Sequence, residues 1–351
     1  MAFDLLDFPG DIKSQLENAL VSTLHSKFWS TGSQTTLLEE TFSSIYGRPA
    51  VATSSGGTAL ALISELFPIQ KIAIQSNTYF ASCLPWVRKQ VEIILMGSSG
   101  LTLMPSLNII ESAIDQSPDA ILITHIGGYP NPDIEAISLV CKQKGIILIE
   151  DCAHSPLVKI NGKHVGTFGD AAILSFFPTK PIPAGEGGLL ILNQASHAEE
   201  ARRMRNYGKY TSSDGNLLHG LPAIPNARMN EFAASIANII TRNYSTLLTN
   251  KNNIADFYDQ HIKDKSFSRL NYHSKDIAPS FYKYICFIKE ASIKTSPVYD
   301  ESNQISSILK HNSYPYTFVG ESSSWTPHVC LPIVATMTEG DAMNVIKNCE
   351  M

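Results

Sequence analysis

Short, almost uninterrupted apolar segments recur along the chain between about residues 70 and 192. Because these segments lack polar alternation, they are typical of strands covered on both faces, as in a mostly parallel sheet. The intervening residues 80–89 and 133–143 have the pattern of helices. The sequence therefore predicts an α/β fold whose strands include KIAIQ, VEIILMG, DAILITHIGG, GIILIED, AAILSFF and GGLLIL.

The last two apolar segments are connected through a turn that contains Gly187. Gly187 and Gly188 lead directly into the segment GGLLIL, and such a connection favours a tight reversal of the chain. We therefore expect one antiparallel pair within the otherwise parallel sheet.

The pattern changes after the last of these strands. Residues 195–207 are charged and amphipathic and are predicted to form a helix. Residues 208–225 are rich in Gly, Ser and Pro and are predicted to form a long loop. A helix is expected to resume at about residue 227, where small and apolar residues alternate at helical spacing.

The C-terminal part of the chain has shorter and more mixed elements. A further helix, Tyr-rich strands and two more helices are expected there, near residues 281–289 for the strands and near residues 301–310 and 338–348 for the last two helices. This change of pattern predicts two domains. They are a large domain over residues 1–240 and a smaller α+β domain over residues 241–351.

The composition narrows the class of partner. The chain has 351 residues, of which 44% are hydrophobic, so it can bury a substantial core. Its formal net charge is −5, and its basic residues are spread along the sequence without a dense cluster. We therefore expect no nucleic-acid partner.

Neither the N-terminus nor the cysteines indicate a special environment. The opening segment MAFDLLDFPGDIK carries acids where a signal peptide requires a basic start. No segment approaches the roughly 18 to 20 continuous apolar residues of a membrane-spanning helix. The six cysteines show neither a CxxC pair nor metal-ligand spacing. We expect a soluble, cytoplasmic protein with no membrane partner and no metal site.

The most informative candidate for chemistry is Lys180, in the run SFFPTKPIPAGEGG. It follows an apolar strand and lies beside Phe176 and Phe177, so its amine should be partly dehydrated and accessible in its neutral, nucleophilic form. Asp151 ends another strand, GIILIED, where a carboxylate can pair with a ring nitrogen. A lysine together with a strand-end aspartate is the pairing that pyridoxal phosphate requires.

A possible phosphate site precedes this pair in the sequence. In the segment SSGGTALAL a glycine pair opens an apolar helix, and the N–H groups at such a start can bind a phosphate dianion. Taken alone, the pattern is more often simple helix capping. It is not a Walker loop, because no lysine follows the glycines.

Two further side chains have open interpretations. His154, three residues after Asp151, either touches the hydroxyl of a bound ring or packs behind the carboxylate. Tyr79 offers a flat face for such a ring, although a single aromatic residue is more often part of the core. Asp151 itself could be structural, since both structural and functional residues are found at strand ends on the carboxyl edge of such sheets.

Taken together, these motifs resemble the DegT/DnrJ/EryC1/StrS family of sugar aminotransferases, which belong to fold-type I of the pyridoxal phosphate enzymes. The match is collinear over roughly residues 28–240, and the order GDAAILSFFPTK followed by GEGG is its most specific part. The resemblance implies a mostly parallel seven-stranded sheet flanked by helices in the large domain. The other matching segments are FWSTGSQTTLLEETFSSIYG, SSGGTALAL, NTYFAS, THIGGYPNPDIEAI, IEDCAHS, RMRNYG and NARMNE.

The resemblance also implies roles for individual residues. Lys180 would form the Schiff base with pyridoxal 5′-phosphate, and Asp151 would pair with the pyridinium nitrogen. His154 would lie near the ring oxygen, and Tyr79 would stack on the ring. Lys180, Asp151 and His154 are thus the implied catalytic residues.

The remaining implied contacts concern the phosphate, the substrate and a second subunit. The phosphate would be held by Gly56, Gly57, Thr58 and Ser175. Asn226 would reach the phosphate of the neighbouring subunit, which implies a homodimer with shared active sites. Near the substrate entrance would lie Thr31 and Gly32.

The implied activity is transfer of an amino group from an amino acid, with glutamate as the expected donor, to a nucleotide-linked keto-sugar in amino-sugar biosynthesis. Departures from the family pattern, such as Ala184 before GEGG, leave open a pyridoxal-phosphate-binding regulator or scaffold without transaminase activity. A third reading is a sugar dehydratase of the same family. Lys180 argues against it, because that branch has histidine in place of the Schiff-base lysine.

Overall fold

An eight-stranded sheet with helices on both faces is the centre of the fold. The computed structural model describes residues 6–98, 102–262, 268–269, 276–287, 297–299, 304–320 and 328–348. The strands are β1 (Ala50–Thr53), β2 (Lys71–Gln75), β3 (Glu92–Met96), β4 (Ala120–Thr124), β5 (Ile147–Asp151), β6 (Lys159–Ile160), β7 (Lys163–His164), β8 (Ala171–Ser175), β9 (Gly188–Leu192), β10 (Lys209–Thr211), β11 (Leu217–His219), β12 (Ser268–Arg269), β13 (Ile277–Ala278), β14 (Tyr284–Phe287), β15 (Tyr316–Val319) and β16 (His328–Leu331).

The helices surround this sheet and complete the C-terminal part. They are α1 (Gly10–His25), α2 (Ser33–Tyr46), α3 (Gly56–Leu66), α4 (Leu84–Arg88), α5 (Leu107–Ile114), α6 (Ile134–Lys144), α7 (Ala195–Met204), α8 (Glu231–Arg242), α9 (Tyr244–His261), α10 (Ile305–His311) and α11 (Glu339–Asn348). None of the helices within the described ranges is long and apolar enough to cross a membrane.

The strands of the large sheet lie in the order β1-β9-β8-β5-β4-β2-β3-β15. Strand β9 is antiparallel to both its neighbours, and all other pairings are parallel. The predicted α/β class and the antiparallel pair of β8 and β9 are thus confirmed. The sheet has one strand more than the predicted seven, because β15 from the C-terminal part pairs with β3 at its edge.

Side chains of the central strands alternate between two separate cores, one on each face of the sheet. In β2, Ile72 and Ile74 enter one core while Ala73 enters the other. In β3, Ile93 and Ile94 divide in the same way. Burial on both faces explains why these strands have no polar alternation in the sequence.

Two predicted elements differ from the structure. The predicted helix over residues 80–89 is a short 3₁₀ turn, Phe80–Ser82, followed by α4, which restarts with Pro85 in its first turn, where a missing N–H is tolerated. The predicted loop over residues 208–225 contains the hairpin of β10 and β11. All six strand residues are exposed, so the sequence lacks the alternation of a half-buried strand.

The C-terminal part contributes small sheets and most of a third core, which Leu103, Met104, Ile126 and Tyr129 also enter. Strands β12, β14 and β16 form one sheet, and β13 pairs with β6 in another that also contains β7. The predicted strands near 281–289 correspond to β14, with residues 288–289 outside the described residues. The last two predicted helices correspond to α10 and α11, with residues 301–303 outside the described residues. The division at residue 240 stays a prediction.

Candidate functional site

A cavity of about 440 Å³ opens at the carboxyl edge of the large sheet. Strands β1, β5 and β8 all end at this edge, and the segments that follow them supply its walls. The C-terminal part covers it with residues 282, 298 and 299. Seven of the residues predicted from the sequence line this one cavity: Gly56, Gly57, Tyr79, Asp151, His154, Ser175 and Lys180.

Asp151 ends β5 and its carboxylate is buried and fixed by two donors. The backbone N–H of Ala153 donates to Oδ1 over 3.0 Å, and the Ser82 hydroxyl donates to Oδ2 over 2.8 Å. Ser82 in turn lies 3.1 Å from the hydroxyl of Thr78, which is 2.7 Å from that of Thr124. The Asp151 carboxylate is therefore held in one orientation at the cavity wall.

Lys180 reaches the cavity from the loop between β8 and β9. Burial lowers the pKa of its amine to about 8, the Asp151 carboxylate opposes this shift, and the nearby Lys283 ammonium adds to it. Its Nζ lies 5.0 Å from the centroid of the Tyr282 ring. The dehydrated amine inferred from the sequence is thus consistent with its surroundings.

His154 is buried and its ring is neutral at physiological pH. Burial, together with the positive charges of Lys180 and Lys283, holds its pKa well below the ordinary value. The backbone N–H of Gly127 donates to Nδ1 over 3.3 Å. This bond assigns the ring proton to Nε2, which lies 3.2 Å from the Tyr299 hydroxyl. His154 therefore presents an N–H donor at Nε2.

The predicted phosphate site lies where β1 leads into α3. Ser55 is the N-cap of α3, and its hydroxyl accepts a hydrogen bond from the backbone N–H of Thr58 over 3.0 Å. The backbone of Gly56 and Gly57 faces the cavity together with Ser175 from the end of β8. A helix start next to hydroxyl groups is suited to an anion. Thr58 contributes to the cap rather than to the cavity wall.

Tyr79 remains accessible at the cavity and is not a core residue. Its side chain is 63% exposed. Its ring lies 6.4 Å from that of Tyr299 with an angle of 24° between the planes. An exposed, oriented aromatic face of this kind can cover a bound ring.

Besides Thr58, three predicted residues lie outside the set that lines the cavity. Asn226 is exposed, and its side-chain oxygen accepts a hydrogen bond from the backbone N–H of Arg228. Thr31 and Gly32 lie just before α2, whose first N–H groups bind the buried carboxylate of Glu231. In a single chain, the structure therefore does not bring these three residues to the cavity.

The sequence patterns do not predict several residues that form the site. Ser82 follows the predicted Tyr79 closely, and its role beside Asp151 could have been proposed from the short spacing. Tyr282 and Tyr299 lie more than 100 residues after Lys180, in a part of the chain without a recognisable motif. Only the folded chain reveals that they cover the cavity.

A buried group of His125, Glu150 and Cys152 has the atom spacing of a metal site but a different role. Burial would raise the pKa of the Glu150 carboxyl, yet its hydrogen bonds lower that pKa below the usual value. His125 Nε2 lies 3.1 Å from Glu150. Three backbone N–H groups also donate to this carboxylate, those of Gly166, Phe168 and Gly169. Glu150 is satisfied by these partners and anchors the loop before β8.

Comparisons with known proteins find a matching sequence family. A sequence model of the DegT/DnrJ/EryC1/StrS aminotransferase family matches residues 10–350. The chain is 30% identical over 290 residues to a dTDP-3-amino-3,6-dideoxy-alpha-D-galactopyranose transaminase of Aneurinibacillus thermoaerophilus, a match that covers 79% of this chain and 76% of the relative.

Solved structures have the same architecture. The aminotransferase TlmJ from Streptoalloteichus hindustanus matches with a TM-score of 0.86 at 20% identity, over 95% of each chain. The E. coli GDP-4-keto-6-deoxy-D-mannose-3-dehydratase with bound hydrated PLP matches with a TM-score of 0.86 at 19% identity, over 99% of each chain. At these identities the two structures establish the fold alone.

Proposed function

The chain belongs to the DegT/DnrJ/EryC1/StrS aminotransferase family, and on this basis we propose that it transfers an amino group from an amino acid to a nucleotide-linked keto-sugar with the help of pyridoxal 5′-phosphate. Glutamate is the donor we expect. The similarity to a dTDP-sugar transaminase supports the class of acceptor. The reaction would belong to amino-sugar biosynthesis in the cytoplasm.

One observation carries the proposal, namely the shared cavity of Lys180 and Asp151. An amine with a pKa of about 8 is neutral in about one molecule in ten at pH 7, against about one in a few thousand for an ordinary lysine. The neutral amine is the form that reacts with an aldehyde. A carboxylate in the same cavity supplies the partner for a protonated ring nitrogen.

The donors of the cavity fit the parts of pyridoxal phosphate. Asp151 suits the ring nitrogen, the Nε2–H of His154 suits the ring oxygen, and Tyr79 suits the ring face. For the phosphate the cavity offers the start of α3 and the Ser175 hydroxyl. When bound, the cofactor supplies an aldehyde and an electron-withdrawing ring that stabilises negative charge on the substrate carbon.

The residues of the chain bind, orient and move protons around this group. Asp151, held by Ser82 and Ala153, keeps the ring nitrogen protonated. Lys180 Nζ takes a proton from the substrate carbon and delivers it again during the transfer. A positioned acid–base group of this kind typically contributes about 10²–10⁴ in rate. His154, neutral and fixed by Gly127, donates a hydrogen bond without adding charge.

We further propose a homodimer in which each subunit completes the site of the other. The hairpin of β10 and β11 and the turn after it expose apolar side chains, with Leu221 89% and Leu217 57% exposed. Phe28, 70% exposed, adds to the exposed apolar surface of the chain. Exposed apolar residues of this size commonly mark an interface. In a dimer, the exposed Asn226 could reach the phosphate bound by the partner, and Thr31 and Gly32 could line the substrate entrance.

The choice between transamination and dehydration depends on the residue at position 180. The fold is shared with a dehydratase, so the architecture does not separate the two reactions. Lys180, rather than histidine, supports amine transfer. A regulator or scaffold without activity would not need an amine of lowered pKa beside a carboxylate.

The proposal is tested by mixing the protein loaded with pyridoxal phosphate with glutamate alone. We expect the absorbance of the aldehyde form to disappear while one 2-oxoglutarate per site is released, measured by mass spectrometry. Addition of nucleotide-linked keto-sugars should then restore the absorbance and give a product in which an amino group and a hydrogen replace the keto oxygen. A protein that binds the cofactor but leaves glutamate unchanged is a scaffold. Water loss from the sugar without amine transfer identifies a dehydratase.

A further inference from the structure

Tyr282 contacts two titratable side chains of the cavity, Lys180 and His154. Its ring lies beside Lys180 on one side and against His154 on another. We propose that Tyr282 is a positioning residue whose ring excludes water from the Lys180 amine and holds the His154 ring in its plane. Neither the family motifs nor the predicted site residues include this tyrosine.

The first contact is with Lys180 and its neighbour. Lys180 Nζ lies 5.0 Å from the centroid of the Tyr282 ring, within the range of a cation–π contact. The Tyr282 hydroxyl lies 3.2 Å from the hydroxyl of Thr179, the residue before the lysine. Tyr282 therefore touches both the amine and the backbone segment that carries it.

The second contact is with His154. The two rings are stacked, with centroids 4.2 Å apart and an angle of 27° between their planes. The hydrogen bond from Gly127 fixes one end of the imidazole, and the Tyr282 ring fixes its face. Together these contacts define the direction in which Nε2 donates.

The backbone around Tyr282 is hydrogen-bonded to the segments that carry Gly127, Gly128 and His154. The N–H of Ser280 donates to Gly128 O over 2.9 Å, and the N–H of Lys283 donates to Gly127 O over 3.0 Å. The Ser280 hydroxyl donates to the backbone oxygen of His154 over 2.7 Å. Gly128 has φ of +97°, and a Cβ there would lie 2.7 Å from the backbone nitrogen of Tyr282. The glycine pair thus permits the close approach that seats Tyr282.

The ring acts on Lys180 mainly by keeping water away. Desolvation disfavours the charged ammonium, and burial is the largest cause of the lowered pKa of Lys180. The charged groups that also act on this amine are Asp151 and Lys283. Glu186 and the neutral His154 also line the cavity. Removal of the ring should admit water and raise the pKa of Lys180.

The test measures how easily Lys180 is acetylated as a function of pH in the full chain without added cofactor. Competitive labelling with acetic anhydride, read by peptide mass spectrometry, gives the midpoint for each lysine. We expect a Lys180 midpoint near 8 in the wild type. Tyr282→Phe keeps the ring and should stay within ~0.5 pH unit, while Tyr282→Ala should move the midpoint upward by ~1 unit or more.

Two controls make the result decisive. Tyr282→Leu replaces the ring with a compact apolar side chain and provides a second variant if the alanine variant does not fold. Lys251 donates to the backbone oxygen of Phe281 and reports whether this segment stays in place. An unchanged Lys180 midpoint in both ring-free variants would overturn the proposal. So would an equal shift at Lys251, because the whole segment would then have moved.

The inference rests on the proposed function only in assigning a catalytic role to Lys180. The labelling midpoint needs neither substrate nor turnover, so an inactive protein with the expected midpoints would contradict the proposed function and leave the role of Tyr282 standing. In the loaded enzyme we expect Tyr282→Phe to retain most of kcat and Tyr282→Ala to lose at least ~10-fold, with a smaller change in KM. Equal activity in the two variants would argue against the positioning role.

Discussion

Asp151 and Lys180 enter one cavity from neighbouring strands of the sheet, although 29 positions separate them in the sequence. Asp151 is the last residue of β5, which pairs with β8, and Lys180 follows the end of β8 by a short loop. Parallel pairing places both strand ends at the same edge. This relationship carries the proposed chemistry, and the following predictions test its parts.

Asp151→Asn keeps the size of the side chain but removes its charge. Because the carboxylate is proposed to keep a ring nitrogen protonated, we expect kcat to fall by at least ~100-fold. Asp115→Asn, at an exposed position after α5, is the matched control and should leave kcat unchanged. Steady-state rates of amine transfer measure both. A loss of only a few fold at position 151 would be incompatible with the assigned role.

Lys180→Met should change how stability depends on pH. The pKa of Lys180 is about 8 in the folded chain, below the ordinary value of about 10.4. Between these values the unfolded chain binds the proton more tightly, so the free energy of unfolding of the wild type rises with pH in this window. Below pH 8 the amine is protonated in both the folded and the unfolded chain. The free-energy cost of burying its charge in the folded chain is then fully present.

Between about pH 8 and 9.5 we therefore expect the free energy of unfolding of the wild type to rise by about 1–2 kcal/mol relative to that of Lys180→Met. Urea unfolding of both proteins without cofactor measures the difference. Lys251, whose pKa is also about 8, is present in both proteins and cancels. Parallel pH profiles for the two proteins would show that the Lys180 amine is not dehydrated.

Glu231→Ala should destabilise the start of α2. The buried carboxylate accepts from the backbone N–H groups of Gly32, Gln34 and Thr35, at 2.9, 2.7 and 3.0 Å. Removal of the carboxylate leaves these N–H donors without a partner and takes a negative charge away from a helix N-terminus. We expect the free energy of unfolding to fall by about 2–4 kcal/mol. Chemical denaturation measures it. Glu40→Ala, at an exposed position of α2, should cost almost nothing, and equal losses would contradict the capping role.

Gly188→Ala should weaken the proposed phosphate site, although residue 188 does not line the cavity. A Cβ on Gly188 would lie 2.4 Å from the carbonyl carbon of Ser55 and 2.5 Å from the nitrogen of Gly56. Because both atoms belong to the backbone, the first turn of α3 must move. We expect the Kd for pyridoxal phosphate to rise at least ~10-fold, measured by absorbance titration. Gly10→Ala, with open space around its Cβ, is the control.

The local patterns sufficed for the part of the fold that is buried on both faces. The apolar runs predict β2, β3, β4, β5, β8 and β9, and the family resemblance placed on these motifs is confirmed by the match over residues 10–350. The apolar runs do not predict β15. It is an edge strand whose residues are only partly buried, so its sequence lacks the continuous apolar run of a central strand.

The site divides in the same way. Asp151 and Lys180 follow predicted strands closely, so the strand order alone brings them together. The glycines of α3 follow β1, which the apolar runs do not predict, and the helix-start motif alone identifies them. Tyr282 and Tyr299 reach the cavity through contacts between residues that are far apart in the sequence. An example is the hydrogen bonding of residues 280–283 to the glycine pair 127–128. Tertiary contacts of this kind leave no local pattern. The shared placement of Asn226 between subunits stays a prediction.

The central claim is that one particular amine carries the cofactor. Reduction of the loaded protein with borohydride followed by peptide mass spectrometry identifies the lysine to which the pyridoxyl group is bound. Lys251 and Lys283 are internal competitors near the same region of the fold. We predict a single modified residue, Lys180, and a Lys180→Ala variant that neither retains the label nor transfers an amine. A label on another lysine, or undiminished amine transfer by the alanine variant, would contradict the account.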